Sequence, residues 1–229
     1  YGGFDFGYGG LGVVLEETGK TLVSSPLIST VLVGATAIVQ LGSETQKQDL
    51  LPKIVAGELL TALALDEHTS HNPSKIATTA TKVDGGYSLN GSKTFVLDGH
   101  IADLLIVAAR TSGKTDGEQG ISLFLVDANA KGLSVARTIM VDSRNSSNIQ
   151  FNNVVVAEDA LLGELDQGFK GLDSVLDIAR IGIAAEMLGS MQAVFESIVE
   201  FLKQREQFGV LIGSFQGLQH RAAEMYSEI

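Results

Sequence analysis

Three regimes of hydrophobic patterning succeed one another along the 229 residues. From Leu11 to about Gly57 the chain reads helical: Leu27, Val31, Ala35, Ile38 and Val39 recur near the 3.6-residue period, and Gly42 interrupts the pattern. Ser43 followed three residues later by Gln46 is a capping-box pattern ahead of Leu50, Leu51 and Ile54, while Pro52 predicts that this helix ends or kinks near Leu51. Between about Leu60 and Leu162 β-rich runs take over, among them "TTATKV", "YSLNGSKTFVL", "DLLIVAAR", "ISLFLVD" and "NIQFNNVVV", separated by Gly, Asn and Asp. They predict an antiparallel β domain, with a tight hairpin at Asn90-Gly91 and a second turn at Asp84-Gly85-Gly86. After Gly163 the helical period returns, and Leu172, Val175, Leu176, Ala179, Ile183, Met187, Met191, Val194, Ile198 and Leu202 share one face. Unbroken from Gly168 to Gln204, that helix would run about 55 Å and would need partners. A second helix opens near Phe215, too little to complete a four-helix bundle. The expected class is α+β: an incomplete helical domain over 1–59, a β domain over 60–163 and the start of a helical domain over 164–229.

Composition narrows the function classes. A hydrophobic content of 45% supports a substantial core. The formal charge of -11, with no basic cluster, opposes binding to nucleic acid or anionic lipid. Without cysteine there is neither a disulfide nor thiolate metal ligation, and the close pair His68 and His71 reads as loop surface, so no metal site is expected. No run of eighteen apolar residues exists, and the opening "YGGFDFGYGG" lacks the basic end and apolar middle of a secretion signal; a soluble intracellular protein without a transmembrane segment is expected. No internal repeat has a solenoid period.

Candidate chemistry concentrates at the carboxyl end, in "REQFGVLIGSFQGLQHRAAEMYSEI". Arg205 can fork onto a phosphate, Phe208 offers a flat face, and Gln207, Gln216 and Gln219 supply amides, a set suited to a nucleotide-like ligand. The alternative is a solvated helix end. Arg180, in an otherwise apolar helix, calls for a carboxylate or phosphate partner.

This stretch resembles the acyl-CoA dehydrogenase family, in which an Arg-x-x-Phe-Gly turn and a Gln-bearing helix reach FAD held mainly by a neighbouring subunit. "LGSETQKQDLLPKIVAGELLTALAL" (Leu41 to Leu65), "YSLNGSKTFVLDGHIADLLIVAAR" (Tyr87 to Arg110) and "GELDQGFKGLDSVLDIAR" (Gly163 to Arg180) resemble further segments of the family in the expected order. The resemblance implies a chain truncated at both ends, the Tyr-Gly-Gly opening being a turn before a helix of the first domain.

The same resemblance implies residue roles. The backbone amides of Leu63 and Leu65 would face the flavin pyrimidine edge, with Asp66 where the family has a hydroxyl near the flavin, followed by a structural glutamate at Glu67. Asp66 is weighed against a plain strand-end carboxylate, because an ionised carboxylate cannot donate to the ring and opposes the charge of the reduced flavin. "HTSHNPSKI" (His68 to Ile76) replaces a Pro- and Gly-rich loop, leaving Asn72 as a possible substrate-side donor and Pro73 where an acidic residue is usual. Phe95 keeps an aromatic surface for the flavin while Leu97 replaces a hydroxyl; the alternative is that both alternate into a sheet core. The family's base is a glutamate, on a later segment or immediately before the arginine matched by Arg180. Here Ala179 precedes Arg180, so no catalytic residue is assigned, and Arg180 is either a structural ion pair or part of a thioester pocket.

The implied activity is FAD-dependent α,β-dehydrogenation of an acyl-CoA, with an acceptor such as an electron-transfer flavoprotein and a homo- or hetero-oligomer, a dimer of dimers being expected. Two other readings stay open: a non-catalytic subunit that completes a partner's FAD site, and a CoA-ester-binding scaffold without flavin. Location is expected to be cytoplasmic, with the mitochondrial matrix as the alternative.

Overall fold

The computed structural model describes residues 1–3 and 6–229, so Phe4 and Asp5 of the glycine-rich opening lie outside the described residues. The chain forms two compact units, Tyr1–Asp5 with Ser24–Ala179, and Phe6–Val23 with Arg180–Ile229. Helix α1 (Gly7–Thr21) belongs to the second. The first unit opens on a π-helical segment, Leu27–Ala35, that runs directly into α2 (Thr36–Leu41). Its wider turn changes which face is buried. Ile28, Leu32, Val33, Ala37 and Ile38 go inside, at steps of four to five residues, whereas Val31 and Val39 of the expected stripe are 36% and 49% exposed. Gly34 lets the segment approach the sheet, since a Cβ there would lie 1.8 Å from Thr61 Oγ1.

Helix α3 (Glu44–Val55) starts with the expected capping box: Ser43 Oγ accepts from Gln46 N and Ser43 N donates to Gln46 Oε1. It does not stop at Leu51. Pro52 lies inside it, and the helix continues to Val55, held by Ala56 N donating to Pro52 O and by Leu51 and Ile54 packing on Ile38.

Eight strands follow: β1 (Thr61–Ala64), β2 (Thr79–Val83), β3 (Gly86–Leu97), β4 (Leu104–Arg110), β5 (Ile121–Asp127), β6 (Leu133–Thr138), β7 (Ser146–Ala157) and β8 (Leu161–Leu162). They form one sheet ordered β6-β7-β3-β2-β4-β5-β8, with β1 on β4. The pairings are antiparallel except β1 with β4 and a single Thr79–Arg110 parallel step, so the sheet is mixed rather than wholly antiparallel. The Asp84-Gly85 turn forms between β2 and β3, with Gly85 at φ 75°. No hairpin forms at Asn90-Gly91. Both residues lie inside β3, Asn90 pairing with Thr79 of β2 and Gly91 with Phe151 of β7; the extra residue of the bulge between Leu89 and Gly91 is on β7, where Asn153 takes φ 51°, and Gly91 sits at φ 147°, where a Cβ would lie 2.5 Å from Thr78 Oγ1. A local turn signal lost here to a long cross-strand ladder.

Both faces of β4 and β5 are buried, which explains the unbroken apolar text of β4. Leu105, Val107 and Ala109 join Phe124, Phe151 and Val154 on one side. Ile106 and Ala108 meet Ile121, Leu123, Val33 and Ala37 on the other, together with Leu172, Val175, Leu176 and Ala179 from α4 (Gly168–Gln204).

Helix α4 is continuous over 37 residues, as its periodicity predicts. Its apolar face is buried only as far as Ala179; Ile183, Met187, Met191 and Val194 are exposed, and beyond Arg180 the buried positions are Gly182, Glu186 and Gly189. The second unit is built on glycine: a Cβ on Gly19 of α1 would lie 2.0 Å from Glu186 O, and one on Gly189 would lie 1.8 Å from Glu16 O. Backbone thus meets backbone, and Ser190 Oγ donates to Gly19 O at 2.9 Å. By length and composition alone α4 is also apolar enough to cross a membrane, with a mean hydropathy of 1.2 over its most apolar window, a test that core helices of soluble proteins pass as well.

The crossing supplies a stability test. Alanine is about 1 kcal/mol better than glycine within a helix, but at Gly189 its methyl would enter the Glu16 carbonyl. Gly189→Ala is expected to lose roughly 2 kcal/mol in urea unfolding, whereas Gly217→Ala, which meets nothing within 4 Å, is expected to be neutral or stabilising.

Candidate functional site

The end of β1 is where three elements are stitched together by buried polar groups. Lys93, fully buried in β3, donates from Nζ to Leu65 O at 2.9 Å and to Glu67 Oε1 at 2.8 Å. Glu67 in turn accepts from Ala77 N at 2.7 Å and Thr78 N at 2.9 Å, just before β2. One cation and one carboxylate therefore tie the end of β1, the entrance to β2 and the middle of β3. Burial pushes the Lys93 ammonium down to about 8, against the pull of Glu67. For Glu67 burial is the largest single influence and acts upward, yet the Lys93 charge and hydrogen bond and the donors at Thr78 together outweigh it, and the carboxyl sits below its ordinary value.

The loop from Glu67 to Ile76 is pinned at its far end by Arg110. That buried guanidinium donates to the carbonyls of Ile76, Gln119, Ser74 and Thr115. At the near end Asp66 turns its carboxylate onto the loop: its two oxygens lie 3.1 and 2.9 Å from His71 Nδ1, and Oδ1 also accepts from Asn72 N at 3.3 Å. The Asn72 side chain accepts from Ser74 Oγ at 3.0 Å. Asp66 and Asn72 are thus brought together, and His71 is the histidine that joins them. Asp66 O accepts from Thr94 N at 2.8 Å, which carries the cluster into the β3 bulge.

That bulge places Phe95. Between Lys93 and Val96 strand β3 holds one residue more than β7, and Phe95 occupies the bulge at φ 57° with its side chain outside the core, 62% exposed. Alternation into the core is therefore excluded for Phe95; Val96 takes the buried place and Leu97 is half-buried. A positive φ at a phenylalanine costs on the order of 1–3 kcal/mol, held here by Asn148 Oδ1, which accepts from Thr94 Oγ1 and Phe95 N. At the start of β1, Leu60 O accepts from Leu104 N, so by the alternation of a parallel ladder the amides of Thr61 and Leu63 point away from β4. Thr61 N finds Thr30 Oγ1. Leu63 is half-buried, and Leu65 is buried one residue beyond the strand.

In the second unit the carboxyl-terminal elbow is a two-residue hairpin. Strands β9 (Glu206–Gln207) and β10 (Val210–Leu211) flank Phe208 at φ 57° and Gly209 at φ 76°, the paired positive angles of a primed turn that matches the strand twist. Phe208 is 92% exposed at the tip, with its ring edge-on to Phe215 at 6.3 Å. Arg205 anchors the base through backbone bonds, its N donating to Phe201 O and its O accepting from Ile212 N, while its side chain is exposed. Gln216 is the exposed first residue of α5 (Gln216–Glu228), a helix whose N-cap, Phe215, offers no side-chain acceptor. The amides of Gln207 and Gln219 donate to Glu206 O and Gly213 O. Arg180 is exposed and has a polar or electrostatic contact of its own, and Ala179 before it is buried. Among the described residues no group of three or more His, Cys, Asp or Glu is placed to hold a metal.

Lys93, Arg110 and His71 carry the local architecture without standing out in the sequence. A signal for Lys93 existed: a lysine inside an otherwise β-patterned run must find a carboxylate or leave the core.

Comparison with known proteins returns one family over nearly the whole chain. Sequence profiles of the acyl-CoA dehydrogenase N-terminal, middle and C-terminal domains match residues 1–58, 62–154 and 166–229. A mitochondrial 2-methylacyl-CoA dehydrogenase of Solanum tuberosum is 35% identical over 237 positions, covering 100% of this chain and 57% of the relative. The structure of butyryl-CoA dehydrogenase from Megasphaera elsdenii superposes with a TM-score of 0.88 at 34% identity, over 98% of this chain and 63% of that one. The FAD complex of PigA superposes with a TM-score of 0.90 at 26% identity, over 99% and 61%. The chain therefore spans about 57% of the length of a curated relative that it matches along its whole length.

The buried pair generates two expectations. Glu67→Gln strands the Lys93 cation and is expected to destabilise the protein by about 3 kcal/mol in urea unfolding at neutral pH. The folded-state value of Lys93, about 8 against an ordinary 10.5, means that the cost of its charge is present below about 8 and is relieved as pH climbs towards 10.5, where only the unfolded chain still holds the proton. The stability gap between wild type and Lys93→Met is accordingly expected to move in favour of wild type across that window.

Proposed function

Because the chain belongs to the acyl-CoA dehydrogenase family, we propose that it is part of an FAD-dependent flavoprotein that removes hydrogen from the α and β carbons of a CoA thioester. The observation that carries the reading is the pair of aromatic rings held outside the core on left-handed backbone, Phe95 on the β3 bulge and Phe208 at the elbow tip. Strain of that kind persists where the surroundings over-determine it, commonly at ligand sites.

The groups present suit a flavin dinucleotide. The Leu63 amide, turned away from β4, and Leu65 offer the backbone edge of β1 to a heterocycle; Phe95 gives a flat apolar face and Leu97 an apolar wall. Arg205 offers a forked cation for a phosphate, Phe208 a second ring, and Gln207 and Gln216 amide groups, at a turn that in this reading reaches the cofactor of a neighbouring subunit. When bound, FAD supplies the hydride acceptor. The chain's own residues bind, orient and exclude water, with Asn72 and Arg180 on the thioester side.

Proton removal from the α carbon needs a placed base, and this stretch of chain does not offer the family's: Ala179 has a methyl group before Arg180, and the Asp66 carboxylate is engaged by His71 and Asn72. Asp66 and Leu97 where the resemblance implies hydroxyls, and the altered loop after Glu67, favour a second reading, a partner subunit that completes the FAD site of an unlike chain without performing the chemistry. An acyl-CoA, a second subunit and an acceptor such as an electron-transfer flavoprotein are the partners of either reading. The cytoplasm is the proposed location, with the mitochondrial matrix as the alternative.

The decisive variant is Arg205→Ala. Loss of a charge-assisted contact worth about 1.5–3 kcal/mol should weaken FAD retention tenfold or more, read as the flavin-to-protein absorbance ratio after gel filtration. An unchanged ratio and an unchanged rate of flavin bleaching by butyryl-CoA would reject the elbow as a cofactor contact. Flavin carried only after co-expression with an unlike subunit would select the second reading.

A further inference from the structure

We propose that His71 is a positioning residue that balances the charge of Asp66 at the end of β1, so that these two positions act as one unit beside the flavin; this rests on the FAD reading above. The carboxylate is otherwise an obstacle. In the FAD reading it would sit where negative charge grows when the isoalloxazine is reduced, and an unbalanced anion there would make reduction harder. Both Asp66 oxygens lie within 2.9 and 3.1 Å of His71 Nδ1, so the imidazole donates Nδ1–H to the carboxylate and disperses its negative charge.

The neighbouring cations are committed elsewhere. Lys93 feels the Asp66 charge, but its hydrogen bonds go to Leu65 O and Glu67, and Glu67 already offsets it. Arg110 spends its donors on four loop carbonyls. Asp66 and His71 are also physically joined to the ring-bearing bulge, because Asp66 O accepts from Thr94 N, next to Phe95. The side chains are part-exposed, 26% for Asp66 and 52% for His71, so a ligand on Phe95 can reach their surroundings.

The test measures the two-electron midpoint potential of the FAD-loaded protein for wild type, His71→Leu, Asp66→Thr and the double variant. Leucine keeps much of the bulk but has no donor for the carboxylate. His71→Leu is expected to shift the reduction equilibrium at least tenfold against the reduced flavin, about 30 mV. Asp66→Thr should remove that sensitivity, so that the double variant matches Asp66→Thr alone. An independent readout uses the protein without flavin: 15N NMR should find His71 Nδ1 protonated in wild type, and the Nδ1–H share should fall in Asp66→Thr. A potential that His71→Leu leaves unmoved, at normal FAD content, overturns the proposal alone. So does an equal drop when Asp66→Thr is already present, since that would reflect loop damage. A wild-type protein that takes up no FAD overturns this proposal together with the reading beneath it.

Discussion

The buried ion pair of Lys93 and Glu67 is the constraint on which the site region depends. Neither charge tolerates an apolar interior alone, so each dictates where its partner and the remaining polar atoms must be. Lys93 fixes the Leu65 carbonyl, and Glu67 fixes the two amides that lead into β2. Replacing such a pair by apolar residues of equal volume is often neutral for stability; what it supplies here is position. Three segments far apart in sequence are held in one register, and the strand end, loop and bulge keep their mutual geometry.

Around that knot the fold separates rigid scaffold from presented groups. The doubly covered strands β4 and β5 and the first part of α4 share an apolar core with little polar content. The groups suited to ligand contact lie at irregularities: a bulge that everts Phe95, a primed hairpin that lifts Phe208, and a loop laced by Arg110 and Asp66. Each irregularity is secured by a specific hydrogen bond or turn geometry. A regular strand would have buried Phe95, and a longer loop would have left Phe208 without a fixed direction.

The departures at the β1 end are easier to understand together than singly. An aspartate in place of a hydroxyl, taken alone, argues against a flavin nearby. With a histidine five residues on and hydrogen-bonded to both of its oxygens, the same aspartate has its carboxylate engaged by a donor, which is the basis of the role proposed for His71. Residue-by-residue comparison with a family pattern misses this, because compensation is a property of two positions that meet only after the loop has closed.

Much of the architecture was legible in the chain. Period fixes which segments are helix and strand, so the 37-residue helix α4 was readable to its ends; the Ser43–Gln46 capping box is local chemistry, and the carboxyl-terminal elbow advertises itself through Phe208-Gly209. Tertiary structure decided the rest, for one physical reason: those outcomes turn on contacts between residues distant in sequence. The ladders of β3 with β2 and β7 held the Asn90-Gly91 turn signal in continuous strand, and close approach to Thr61 accompanied a π-helical turn that moved the buried face off Val31 and Val39. Packing carried α3 past Pro52, and glycine-mediated contact with α1 left the apolar stripe of α4 exposed beyond Ala179. Lys93, Arg110 and His71 acquire their roles only where their partners are brought to them, since a charge in a sequence has no environment until the chain folds around it.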